Sequence, residues 1–233
     1  MDVLDQPTVP EWVNLEAEPE SLEIDLRRTA VMVVDMQNAF IKEGGMFDLW
    51  GQDISRGQRI IEPIKMINGV ARERACKVIY TVAVYSADLH DTGGPNSPGW
   101  HRNKNLMTYR QSPDLRDKLT VRGTWGAQIV EELIPQDGDI IVEKQKHSAF
   151  YGTNLDIILR TSDIRYIAFT GVATNICVEA TLRDAYYRDY FPILISDACS
   201  NAGPPLTQDA TIYNIQFVYG WVTTAENFIG TLK

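Results

Sequence analysis

Six apolar segments of strand character, spaced along the chain with helical patterns between them, leave few folds open. Thr29–Val34 (TAVMVV) is a near-continuous β-branched run, the pattern of a strand buried on both faces of a parallel sheet. Val78–Val84, Asp139–Val142, Ile164–Thr170, Phe191–Ser196 and Phe217–Val222 continue the series. Ile60, Ile61, Ile64, Ile67 and Val70 fall at helical spacing, and Gln128–Leu133, Leu155–Leu159, Val178–Tyr187 and Asp209–Ile215 read as further helices. Alternating β and α units with short connections imply right-handed crossovers and a three-layer, doubly wound, mostly parallel six-stranded sheet of the α/β, Rossmann-like class. At 233 residues the chain suits one such domain, 29–233, preceded by an irregular segment, 1–28, packed on it.

Composition narrows the function classes. With 31 acidic and 22 basic side chains the net charge is −9, which disfavours binding to nucleic acid or to an anionic membrane surface. No apolar run approaches the roughly 20 residues that span a bilayer. The N-terminus lacks a basic-then-apolar signal pattern and reads as mature sequence. Three scattered cysteines, Cys76, Cys177 and Cys199, make neither a disulfide framework nor a Cys-rich metal site, so the chain reads as a reduced cytoplasmic protein. No G-x-G-x-x-G follows the first strand, which argues against dinucleotide binding.

Ligands of open α/β sheets sit beyond the carboxyl ends of the strands. Asp35 ends the first long strand, Lys144 ends the third, and Cys177 follows the fourth in FTGVATNIC. Alone, each has an ordinary reading: a turn or capping acid, a solvated edge charge and a small buried apolar residue, the last kept for Cys76 and Cys199. Their convergence on one edge points instead to a nucleophilic thiol with an acid and an amine. Thr174 or Asn175 can cap the following helix, whose dipole then favours thiolate at Cys177 and whose N–H groups can hold an oxyanion. Of the three histidines, His90 and His101 lie in the polar stretch Tyr85–Lys118, and His147 is the one alternative base. A carboxylate can also serve as base in a buried site, and Asp35 is placed for that. The histidines form no short-spaced metal pair, so no metal and no other cofactor is expected. The stretch Tyr85–Lys118 itself is long and turn-rich, the character of a lid or of a surface excursion with a short helix.

VVDMQNAF, EKQKHSAFYGTNLD and TGVATNICVEATLRDAYYRDY resemble the isochorismatase-like cysteine hydrolases from about Thr29 to about Leu232. Within that family GGPNSP, GTWGAQIVEELIPQDGDI and NIQFVYGWV look most similar to the ureidoacrylate amidohydrolases. The resemblance implies Cys177 as nucleophile, Asp35 as general base and then acid, and Lys144 as the cation holding both. It also implies a non-proline cis peptide at Val172–Ala173, with the amides of Ala173 and Cys177 as oxyanion hole. Asn38, Phe40, Tyr85, Asp91, Ser148 and Phe150 are the candidate substrate contacts. In LWGQDIS, Asp53 lacks the histidine of the nicotinamidase metal motif. Ala83, Val84 and Tyr85 replace an Asn-Gly-Trp stretch of the ureidoacrylate enzymes, which opens the substrate class to biuret, triuret and N-carbamoyl amino acids. The reaction expected is metal-independent amide hydrolysis of a small ureido or carbamoyl compound through a Cys177 thioester. A maleamate- or nicotinamide-like amidase and a non-catalytic small-molecule scaffold are the alternatives. A homo-oligomer, dimer or tetramer, is expected from the family and from the aromatic tail NIQFVYGWVTTAENFIG.

Overall fold

In the computed structural model, which describes residues 9–74 and 76–233, the β-branched runs form one parallel sheet. Its strands are β3 (Thr29–Val34), β4 (Lys77–Ala83), β5 (Ile140–Lys144), β6 (Tyr166–Val172), β7 (Phe191–Ser200) and β8 (Trp221–Thr223), in the order β5-β4-β3-β6-β7-β8. Every residue of β3 is buried, and alternation splits it between two cores. Val31 and Val33 pack with helices α1 (Ile61–Glu73) and α7 (Ala225–Leu232) on one face. Ala30, Met32 and Val34 pack on the other with α4 (Leu155–Thr161) and α5 (Glu179–Tyr186). Burial on both faces is why the strands read as continuous apolar runs. The chain leaves β3 in one direction through β4 and β5, then returns to β6 and runs the other way. The reversal between β3 and β6 is the switch point at which such sheets bind ligands.

The segment expected to be irregular is a hairpin instead. β1 (Trp12–Leu15) and β2 (Leu22–Asp25) pair antiparallel, and Leu15, Ile24 and Leu26 are fully buried in the domain core. The alternation in WVNL and LEID was the available signal; residues 1–8 lie outside the described residues. Beyond the hairpin, Glu18 and Val222 exchange main-chain hydrogen bonds of 2.8 and 2.9 Å along the free side of β8.

Two further expectations change. Gln128–Val130 is extended, because its main chain is committed to the loop after β3: Asn38 N–H donates to Gln128 C=O at 2.9 Å and Val130 N–H to Met36 C=O at 3.0 Å. Only Glu131–Leu133 turns, as a 3₁₀ segment. Similarly, Ile215–Tyr219 continues helix α6 (Leu206–Asn214) as a π-turn, leaving Trp221–Thr223 as the sixth strand. Tyr85–Lys118 is a helical insertion with α2 (Pro98–Arg102), α3 (Lys104–Gln111) and a 3₁₀ segment, Pro113–Lys118. Ser97 and Asn103 side chains cap α2 and α3.

Candidate active site

Asp35 leaves β3 with φ at +51°, a left-handed conformation unusual outside glycine and common at functional sites. Pairing holds it there: its N–H donates to Thr81 C=O at 3.0 Å, continuing the β3–β4 ladder. The Thr81 hydroxyl donates to Oδ1 at 3.0 Å, and Oδ2 meets the Lys144 ammonium at 2.7 Å as an ion pair rather than a directed hydrogen bond. Both charged side chains are 1% exposed. Lys144 Nζ also donates to Lys146 C=O at 3.2 Å. Burial alone works against this ammonium, but Asp35 and Cys177 reverse it and hold the lysine above its ordinary pKa.

Cys177 arrives from the other side of the switch point. β6 closes on β3 through Gly171 at φ +103°, where a Cβ would lie 2.2 Å from the Val34 carbonyl oxygen, so only glycine fits. The Val172–Ala173 peptide is cis. Thr174–Val178 is then a π-turn leading into α5. Ile176 and Val178 N–H both donate to Ala173 C=O, at 2.9 and 3.2 Å, and the Cys177 amide between them lacks that α-helical partner. No side chain caps this turn, contrary to the expectation for Thr174 or Asn175. Thr174 Oγ1 is buried without a partner, and Asn175 instead clasps Ala202, donating to its C=O and accepting from its N–H, both at 3.0 Å.

Burial, the largest effect, pushes the Cys177 thiol up to about 12; Lys144 pulls it down and Asp35 raises it further. The expectation that the helix terminus yields a resting thiolate is therefore corrected: the resting group is a thiol beside a carboxylate–ammonium pair. His147 Nδ1 lies 3.6 Å from Sγ on the solvent side. Burial first, and then the Lys144 ammonium, push this imidazole below its ordinary pKa, so it is neutral near pH 7.

These groups form the floor of a cavity of about 270 Å³. Phe40, Phe47 and Trp50 make one wall, and Phe40 meets Phe47 edge-on at 4.9 Å. Tyr85 lines it too, donating to Gln145 C=O at 3.1 Å and accepting from Asn103 Nδ2 at 3.0 Å, which ties the insertion to β5. Of the candidate substrate contacts, Phe40 and Tyr85 thus line the cavity, and Asn38, Asp91, Ser148 and Phe150 do not. Asn38 donates from its side chain to Trp125 C=O at 3.0 Å. Asp91 accepts from Ser86 N–H at 3.0 Å, Ser148 donates to Asp184 at 2.5 Å, and Phe150 packs on Tyr190. Sequence reasoning missed Thr81, Trp50 and the cavity-lining Arg102, Lys104 and Lys146; the run HRNK inside the insertion was the signal for two of these.

Among the described residues no three His, Cys, Asp or Glu side chains cluster as a metal site, and no helix is long and apolar enough to cross a membrane.

Residues 29–227 match the isochorismatase domain. The chain is 44% identical to ureidoacrylate amidohydrolase RutB of Agrobacterium fabrum, over 95% of this chain and 97% of that protein. It is 43% identical to the RutB of Caulobacter vibrioides, over 97% and 94%. A solved cysteine hydrolase from Pseudomonas syringae pv. phaseolicola shares its fold with a TM-score of 0.76 at 28% identity, over 97% and 98% of the two chains. An N-carbamoylsarcosine amidase from Thermoplasma acidophilum does so at 0.65 and 25% identity, over 85% and 97%.

Proposed function

From the premise that this chain belongs to the isochorismatase domain family, we propose that it is a cysteine amidohydrolase cleaving a C–N bond of a small ureido compound, with ureidoacrylate first among the candidates. The observation that carries this reading is the buried contact of Asp35, Lys144 and Cys177 at the floor of one cavity. Ureidoacrylate and N-carbamoylsarcosine, for which relatives are named, share a carbamoyl group on nitrogen.

As the carbamoyl carbon reaches Sγ, Asp35 takes the thiol proton, so the thiolate forms only when its target is present. The S–C bond forms, and the carbonyl oxygen becomes an oxyanion held by the Ala173 and Cys177 amides. Lys144 keeps Asp35 in place and balances charge as the proton moves. Asp35 then passes the proton to the departing nitrogen as the C–N bond breaks. Water, deprotonated by Asp35, cleaves the carbamoyl thioester and returns the thiol and a carbamate. Three unpaired cysteines suit a cytoplasmic enzyme. The exposed, stacked pair Tyr213 and Phe217 supports a homo-oligomer.

The test is ammonia release, in the presence of EDTA, from ureidoacrylate, biuret, triuret, an N-carbamoyl amino acid, maleamate and nicotinamide. Turnover of a ureido compound that falls about 10³-fold or more in Cys177→Ser is expected. Activity that survives this substitution overturns the nucleophile.

A further inference from the structure

We propose that the roof of the cavity is an anion clamp, so that the substrate carries a carboxylate as well as the group that is cleaved; this rests on the amidohydrolase reading of the floor. The charge balance of the walls points there. Asp35 is the one acidic residue lining the cavity, and Lys144 already pairs with it at 2.7 Å. Arg102, Lys104 and Lys146 line the same space, and none has a carboxylate within 4.0 Å among the described residues. That is notable in a chain where acids outnumber bases 31 to 22. Uncharged groups hold two of these cations. Lys104 Nζ stands 4.5 Å over the Trp50 ring, and Lys146 Nζ donates to Thr92 C=O at 3.3 Å. Aromatic walls and a concave shape focus the field of such charges into the cavity. A neutral substrate leaves three like charges uncompensated; a carboxylate between roof and floor complements them and turns its other end toward Sγ. The clamp therefore selects N-carbamoyl acids over neutral ureides such as biuret.

The charge preference can be read at Cys177 without any substrate. Iodoacetate and iodoacetamide alkylate thiols with loss of iodide and differ in one charge. Second-order rates for labelling Cys177 are measured by mass spectrometry on the intact protein, with 2-mercaptoethanol as the free-thiol standard. We expect Cys177 to favour iodoacetate by about tenfold relative to the standard. Arg102→Ala with Lys104→Ala, both exposed and thus compatible with folding, removes most of that preference and leaves the iodoacetamide rate unchanged. High salt shrinks the preference in the parent protein. A Cys177 preference equal to that of 2-mercaptoethanol, or a double variant that slows both reagents alike, overturns the clamp. If no ureido compound is turned over while the iodoacetate preference persists, the clamp stands and the reaction assignment falls.

Discussion

The floor and the roof of the cavity are built by opposite rules. The floor is made of strand ends: Asp35, Thr81, Lys144 and Cys177 are nearly or fully buried, and backbone ladders fix each of them. The roof is made of capped short helices in an insertion, with Arg102 and Lys104 exposed. In the floor, a buried charge is tolerated only because its partner touches it, so chemistry and stability depend on the same atoms. In the roof, like charges face water and contribute little to stability, so they are free to set what is bound. A protein divided this way can change its substrate without disturbing its reaction.

The sharpest way to break that contrast is to split the ion pair. Asp35→Asn or Lys144→Met alone leaves one buried charge without its partner and should cost about 3–5 kcal/mol, measured by urea unfolding. The double variant should recover much of that loss and none of the activity. Equal costs at Lys104 would erase the distinction between floor and roof. Next is Gly171→Ala, which drives a Cβ into the Val34 main chain at a positive φ and should cost about 1–3 kcal/mol. Activity should fall with it, because Cys177 hangs from that strand.

A pH series sharpens the comparison from the side of the thiols. Burial raises Cys76 and Cys177 to about 12 from an ordinary 9.0, and Cys199 also upward. Above pH 9 an unfolded chain releases thiol protons that the folded chain keeps. The unfolded state then binds fewer protons, and stability falls as pH rises toward 12. Below pH 9 this contribution is fully present. Urea midpoints between pH 8 and pH 11 should show the decline, and Cys199→Ala should make it shallower. The smallest effect belongs to His147. It is a base within reach of Sγ but on the solvent side, and His147→Gln should lower kcat/KM by about tenfold or less with no change in stability. A loss matching that of Asp35→Asn would move the base from floor to roof.

The same division governs what could be read before the fold was known. Asp35, Lys144 and Cys177 each follow a buried strand directly, and a strand end points at the site whatever lies between. The cis peptide at Val172–Ala173 came from the family resemblance, not from any spacing. Asn38, Asp91, Ser148 and Phe150 stand near the right motifs, but local hydrogen bonds and packing turn them elsewhere. Gln128–Val130 has helical spacing and lost it to main-chain pairing with residues 36–38. Ile215–Tyr219 has strand composition and was kept helical by the turn before it. The π-turn at Cys177 leaves no mark in composition. Roof residues are hardest, since a cation in a polar loop looks the same whether it faces water or a ligand.

The two hydrogen bonds between Glu18 and Val222 have a consequence for how this protein fails. A sheet that ends in bare main-chain donors and acceptors invites a strand from a neighbouring molecule. Glu18 occupies those groups on β8, so the hairpin works as a seal on that border of the sheet. A chain cut back past residue 25 would keep every atom of the catalytic floor and lose the seal. Its deficiency would be stickiness: clumping that grows with protein concentration, while the molecules still dispersed retain their turnover.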